Sequence, residues 1–208
     1  MKLNELGVDD SFFAFKQVQS LEIVYQLVRE QNEKLSNLID IEDFHEIVKS
    51  IRGITSDIYS GCEILNQLFI SVYRNDDRYR GTNLKRGFND NFKIVYNAKM
   101  KRDKDVGIIF KDKFIHTFFN DAELWFVELH DIRTQETHYE VGEVENRDGE
   151  LYYCNNNRNG VSKQIYTNPS DIIDIPLSRL IQLIEMFLEA ENIVANKIKQ
   201  VMTNSPNY

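Results

Sequence analysis

Residues 44–72, FHEIVKSIRGITSDIYSGCEILNQLFISV, carry the most regular apolar pattern in the chain. Apolar side chains recur there every three or four residues, which is the spacing of one face of an α-helix. The members of this stripe are Phe44, Val48, Ile51, Ile54, Ile58, Cys62, Leu65, Phe69 and Val72. Counted from Asp40, the predicted helix runs for about nine turns. Only partner helices can cover an apolar stripe of that length, so the sequence predicts a helical bundle.

Further helices are predicted on both sides of this stretch. All three prolines lie in the last forty residues, so no proline interrupts the first three-quarters of the chain. The predicted helices cover residues 11–35, 84–101, 107–120 (a short helix, with a buried extended piece as the alternative), 124–138 and the stretch that Pro176 opens. Asn120 or Asp121 is expected to cap the helix over 124–138, and helical periodicity is expected to fail close to His138.

A change of period after His138 predicts a few short strands. Residues 140–145 alternate in a strand-like way, NRDG at 146–149 is a strong turn signal, and residues 151–153 continue as a second strand. SKQIYT at 162–167 follows another turn and is the candidate for a third strand. The predicted fold is therefore mainly α, a single domain over 1–208 with a small antiparallel β-meander at about 139–167 before the last helix.

The sequence also bears on the cellular compartment and on whether the chain holds disulfides or metal sites. Acidic residues follow Lys2 where a signal peptide needs an apolar run, and no apolar stretch reaches membrane-spanning length. Cys62 and Cys154 lie far apart, which predicts neither a disulfide framework nor a zinc site. We therefore expect a cytoplasmic protein that contacts no membrane and needs no metal or other cofactor.

The charge is unevenly distributed. The chain has a formal net charge of -8, yet residues 73–104 hold ten basic and four acidic residues. Aromatic residues are interleaved with these cations, namely Tyr73, Tyr79, Phe88, Phe92 and Tyr96. Two interpretations remain open: a groove that binds single-stranded nucleic acid by charge and stacking, or a solvated helix face with buried aromatic residues.

The best candidate for chemistry lies in LWFVELHDIRTQETHY, residues 124–139. A GK[ST] phosphate loop, GxGxxG, HExxH and GxSxG are all absent from the sequence, so nothing supports nucleotide hydrolysis, dinucleotide redox chemistry or serine hydrolysis. Arg133 and His138 form an Arg-x4-His pair near the predicted helix end. The alternative to a catalytic role is that Arg133 pairs with Glu128, Asp131 or Glu136 while His138 caps the helix.

This stretch resembles the HEPN superfamily of prokaryotic helical domains, because an amphipathic helix led by an aromatic residue ends in Arg-x4-His and precedes small strands and a long last helix. The resemblance implies a helical bundle that usually dimerises and whose R-x4-6-H motif is the active site. Many members are metal-independent endoribonucleases of toxin-antitoxin, abortive-infection and other phage-defence systems. By this resemblance Arg133 and His138 are catalytic, and the expected product is a 2',3'-cyclic phosphate.

The family also sets expectations for substrate and partners. The position after the arginine is most often Asn, Asp or His in active members, whereas Thr134 stands here and would orient the substrate. In this interpretation Arg78, Arg80, Lys85 and Arg86 bind RNA. The expected partners are a second copy of the chain, RNA, and a separate antitoxin or nucleotidyltransferase protein. The alternative function is a catalytically inactive dimerisation or adaptor module that binds a nucleotide or a protein.

One geometric difficulty accompanies the motif. Five residues of helix turn the chain by about 140°, so Arg133 and His138 do not share a face of an unbroken helix. Unwinding of the helix before His138 would remove this difficulty. A second difficulty is that one histidine cannot be both acid and base in a single step, and a two-fold dimer that places each motif opposite its twin would remove that one.

Overall fold

The computed structural model describes residues 8–73, 85–101, 113–138, 142–155 and 173–203. These residues form five helices and three short strands. In chain order the elements are α1 (Val8–Asp40), α2 (Phe44–Tyr73), α3 (Phe88–Lys101), α4 (Lys113–His138), β1 (Glu143–Arg147), β2 (Glu150–Asn155), β3 (Ile173–Pro176) and α5 (Leu177–Thr203). The predicted fold class, mainly α with a small antiparallel sheet before the last helix, is confirmed. Within the described residues, none of the helices combines the length and the apolar character that crossing a bilayer requires.

The start of α2 shows how side chains set a helix boundary. The sequence places that start near Asp40, whereas the structure places it at Phe44. Glu42 adopts a left-handed backbone conformation with φ of 55°, which ends the preceding helix. Asp43 then caps α2, because its Oδ1 accepts a hydrogen bond from the backbone N–H of Glu46 at 3.3 Å.

The predicted division of α4 is wrong. Instead of a short helix over 107–120 and a second helix capped by Asn120 or Asp121, one helix runs unbroken from Lys113 to His138. Phe118, Phe119 and Ala122 are all buried, so the apolar face continues across the predicted boundary. Since burial of that face continues and no proline or glycine interrupts it, the local capping preference of Asn120 and Asp121 has no effect.

The three strands form an antiparallel sheet in the order β1-β2-β3. Arg147 pairs with Glu150, which leaves a two-residue hairpin turn of Asp148 and Gly149 with φ of 54° and 89°. Both residues have positive φ, as a type I′ turn requires, so the predicted turn is confirmed.

The structure contains a strand that the sequence did not predict. It occupies Ile173–Pro176, beyond the predicted limit of the meander at 167, while the expected strand over 162–167 lies outside the described residues. Pro176 ends this strand and α5 begins one residue later, at Leu177. Tyr153 in β2 pairs with Ile175, and both side chains are buried.

The chain groups into two compact units that are interleaved in sequence. The first unit consists of residues 1–26, 60–123 and 188–208. Its core contains an aromatic cluster in which Phe69 meets Phe118 and Phe88 meets Phe119, each pair at 5.2 Å between ring centroids. Aromatic pairs at this distance contribute about 0.5–1.5 kcal/mol each beyond the area they bury.

The second unit consists of residues 27–59 and 124–187. This unit contains the sheet and the parts of α1, α2, α4 and α5 that fall in these ranges. Trp125 packs edge-on against Phe187 at 5.4 Å between centroids, and Ile47, Ile51 and Ile54 are fully buried in the same unit. The candidate motif of α4 belongs to this unit.

Candidate functional site

Arg133 lies on the aromatic ring of Tyr59. Its guanidinium carbon Cζ is 4.1 Å from the centre of the Tyr59 ring, which is the geometry of a cation–π contact. Such a contact holds the planar guanidinium parallel to an apolar surface and directs its N–H groups sideways. Arg133 is half-buried, so the contact fixes the orientation of the side chain while leaving part of it accessible.

The three carboxylates that the sequence offers as partners of Arg133 each contact a different residue. Glu128 accepts a hydrogen bond from Arg179 Nη2 at 2.7 Å. Asp131 places Oδ1 at 3.6 Å from Nδ1 of His130. Among the residues that the structure describes, no carboxylate forms an ion pair with Arg133. The predicted alternative, in which Arg133 pairs with one of these acids, is therefore wrong.

Glu136 has a structural role. Its carboxylate accepts hydrogen bonds from the Tyr153 hydroxyl at 2.7 Å and from Thr55 Oγ1 at 3.0 Å. Burial raises the pKa of Glu136, and these two hydrogen bonds oppose the rise. One side chain of α4 is thereby tied to α2 and to β2, which fixes the end of the helix that carries Arg133.

His130 stands one helical turn before Arg133. Its ring centre is 5.3 Å from that of Phe126 and 6.2 Å from that of Tyr59. About a quarter of its side chain is exposed, at 23%. His130 thus lies beside the aromatic ring that carries Arg133. By its spacing in the sequence, His130 shares a helical face with Thr134 and His138, so it is a candidate extension of the site, with a surface histidine as the alternative.

His138 is the last residue of α4, so helical structure ends where the sequence predicts. The helix does not unwind between Arg133 and His138. The Thr137 hydroxyl donates to the backbone carbonyl of Arg133 at 2.7 Å, a side-chain bond that accompanies the final turn. Thr134 is half-buried in the same turn. The predicted unwinding is therefore wrong, while symmetric pairing of two chains, which would bring two histidines to one cleft, stays a prediction.

The basic segment of residues 73–104 is described only in part. Arg78 and Arg80 lie outside the described residues. Lys85 and Arg86 are exposed and precede α3. Their backbone carbonyls accept hydrogen bonds from Nδ2 of the buried Asn66 at 3.0 Å and 2.8 Å, which holds this short stretch in place.

The aromatic residues of that segment do not form the predicted stacking surface where they are described. Phe88 and Phe92 are buried, and Phe92 stacks on Tyr96 at 5.7 Å between ring centroids. The interpretation with buried aromatic residues is therefore correct for these positions. The exposed cations remain, and binding of RNA to them stays a prediction.

Tyr59 is the site residue that sequence reasoning missed. It neighbours Ile58 on the buried stripe of α2, and nothing in the local pattern marks it as the partner of a residue on α4. Cation–π pairs between helices depend on packing rather than on spacing within one helix. Among the described residues, no three side chains of the His, Cys, Asp and Glu types come together as a metal site requires.

No family model, no curated protein and no solved structure matches this chain.

Proposed function

We propose that this chain is an endoribonuclease of the HEPN type that cleaves RNA without a metal ion and leaves a 2',3'-cyclic phosphate. The observation that supports this function best is the environment of the Arg133 side chain. Its guanidinium is held on the Tyr59 ring, is partly accessible and has no carboxylate partner among the described residues. A guanidinium held in this way suits an anion that offers two oxygens to its planar fork, and a phosphodiester does so with its two non-bridging oxygens.

The chemistry needs proton carriers and charge stabilisation. The 2'-hydroxyl of RNA attacks the adjacent phosphorus, so that a bond forms between O2' and phosphorus while the bond to the 5'-oxygen breaks. A base takes the proton from the 2'-hydroxyl and an acid gives one to the departing 5'-oxygen. In this proposal the Arg133 guanidinium stabilises the charge on the non-bridging oxygens and His138 carries a proton. Thr134 would orient the substrate, and a role in phage defence or as a toxin remains a prediction from the family.

The test is cleavage of total RNA by the purified protein in EDTA, followed by analysis of the product ends. Arg133→Ala and His138→Ala should each lower the rate at least about a hundredfold, since loss of a charge-stabilising donor or of a proton carrier typically has this effect. Arg133→Lys should restore only a small part, because an ammonium group keeps the charge but loses the planar fork.

Matched controls separate this site from a contaminating nuclease. Arg29→Ala removes an exposed arginine that pairs with Glu33 on the same helix, and His116→Ala removes an exposed histidine of α4. Both controls should cut like the wild type. Equal cutting by all variants would contradict the proposed site, and a wild type that leaves RNA intact would contradict the proposed activity.

A second candidate function is an inactive dimerisation or adaptor module. It is favoured by two exposed apolar side chains one turn apart on α4, Leu124 at 58% and Val127 at 38% exposure. If this function is correct, the wild type leaves RNA intact and forms a dimer in light scattering. The double variant Leu124→Ser, Val127→Ser should then be monomeric.

A further inference from the structure

The continuity of α4 decides which histidine shares a side of the helix with Arg133. The helix is unbroken from Lys113 to His138. His130 precedes Arg133 by three positions, which corresponds to about 60° around the helix axis and a rise of about 4.5 Å. His138 follows Arg133 by five positions, which corresponds to about 140°. Within one chain, His130 is therefore the histidine that lies on the side of Arg133.

The contacts of His130 and Arg133 agree with this geometry. Both side chains lie against the Tyr59 ring, Arg133 with Cζ at 4.1 Å and His130 with its ring centre at 6.2 Å. Phe126, one turn earlier on α4, has its ring centre 5.3 Å from that of His130. Tyr59 on α2 is thus a shared neighbour of the Arg133 guanidinium and the His130 imidazole.

We infer that His130 is a second proton-transfer residue of the Arg133 site and acts on the phosphate that Arg133 of the same chain binds. This inference rests on the proposed nuclease function. The cleavage step needs one group to accept the proton of the 2'-hydroxyl and another to donate a proton to the 5'-oxygen, and one imidazole cannot do both in a single step. His130 and the His138 of a second copy divide the two transfers, and exchange with water restores both protonation states after product leaves.

An acid, a cation and a tyrosine are among the neighbours of His130. Asp131 Oδ1 lies 3.6 Å from Nδ1 of His130, Arg133 follows about one turn later on α4, and the Tyr59 ring lies near it on α2. Since an acid and a cation have opposite effects on an imidazole, the pH profile of cleavage must be compared between variants rather than interpreted for the wild type alone.

The experiment measures the cleavage of an RNA oligonucleotide in EDTA between pH 5 and pH 9 by the full chain. His130→Gln should lower kcat about a hundredfold or more and should remove one limb of a bell-shaped profile, while His138→Gln removes the other limb. His116→Gln should leave both limbs and kcat unchanged. A His130→Gln protein with the wild-type rate and both limbs, beside an inactive His138→Gln protein, overturns the inference but keeps the proposed function. No cleavage by the wild type overturns both.

A second measurement on the wild-type protein does not depend on how His130→Gln folds. Inorganic phosphate added to the wild type should shift the NMR signals of the His130 ring protons, and Arg133→Ala should abolish that shift. The ring signals of His116 serve as the internal control and should stay in place. A His130 signal that does not respond to phosphate overturns the inference.

Discussion

Glu191 offers the most direct test of the energetics of this fold. It lies in α5 with 1% of its surface exposed, and neither carboxylate oxygen has a hydrogen-bond partner among the described residues. Burial raises its pKa from 4.5 to about 8. The thiol of Cys62 is fully buried, and its pKa is raised by burial first and then by the charge of Glu191. Glu191 is therefore a neutral acid near pH 7.

The sign of the pH dependence follows from this difference. The folded protein holds the Glu191 proton at pH values where the unfolded chain has lost it. The contribution of Glu191 to the free energy of unfolding is therefore most favourable below pH 4.5 and declines as the pH rises towards 8. A difference of one pKa unit corresponds to about 1.4 kcal/mol, so the whole window is worth about 5 kcal/mol. Between pH 5 and pH 7 the free energy of unfolding should fall by about 2.5 kcal/mol through this group alone.

Urea unfolding at several pH values measures this effect. Glu191→Gln removes the titration with little change of shape, so the stability of the wild type minus that of Glu191→Gln should fall by about 2.5 kcal/mol from pH 5 to pH 7. Glu189→Gln removes an exposed carboxylate of the same helix and should follow the wild type at every pH. Identical pH dependence in the wild type and Glu191→Gln would refute the reasoning, because the buried acid would then titrate at its ordinary pKa.

Three further predictions concern a close contact, a buried hydrogen-bond donor and a buried thiol. Gly142→Ala should destabilise the fold by about 1–3 kcal/mol in urea unfolding, because the new Cβ would overlap the phenol of the fully buried Tyr153, whereas Gly87→Ala finds ordinary contact distances and should have a small effect. Asn66→Ala should lower stability by about 1–3 kcal/mol and should speed proteolysis before α3, since the carbonyls of Lys85 and Arg86 each lose one of two side-chain donors and Asn91 Nδ2 loses an acceptor. Cys154 should react with iodoacetamide much more slowly than a free thiol in native protein at pH 8, because burial raises its pKa to about 12; equal rates would contradict this.

The fold was largely predictable because its helices carry long apolar stripes and its hairpin carries a two-residue turn signal. Boundaries were less predictable wherever tertiary burial competes with local preference. Asn120 and Asp121 are good capping residues, yet the buried Phe118 and Ala122 keep the helix continuous through them. The strand at Ile173–Pro176 was not anticipated, because a strand of four residues has too little alternation to be recognised.

Glu191 was missed although a signal for its burial was present. In α5 the fully buried side chains recur at Leu180, Ile184 and Phe187, and the same spacing continues to Val194. Position 191 falls on this stripe, so the period predicts a buried side chain there. The charge of glutamate argues against burial in general, and only the surrounding packing shows that the period prevails here.

The motif itself shows why spacing in sequence and proximity in space differ. An Arg-x4-His pattern counts residues, but on an unbroken helix the angle between two side chains decides whether one chain can bring them to one phosphate. Arg133 and His130 lie on one side of the helix, because they are three positions apart, and both neighbour Tyr59. His138, at the end of the helix, would need a partner chain to meet Arg133. If the site is catalytic, a chain with an intact His138 and no His130 should therefore lack the proton carrier that its own Arg133 requires.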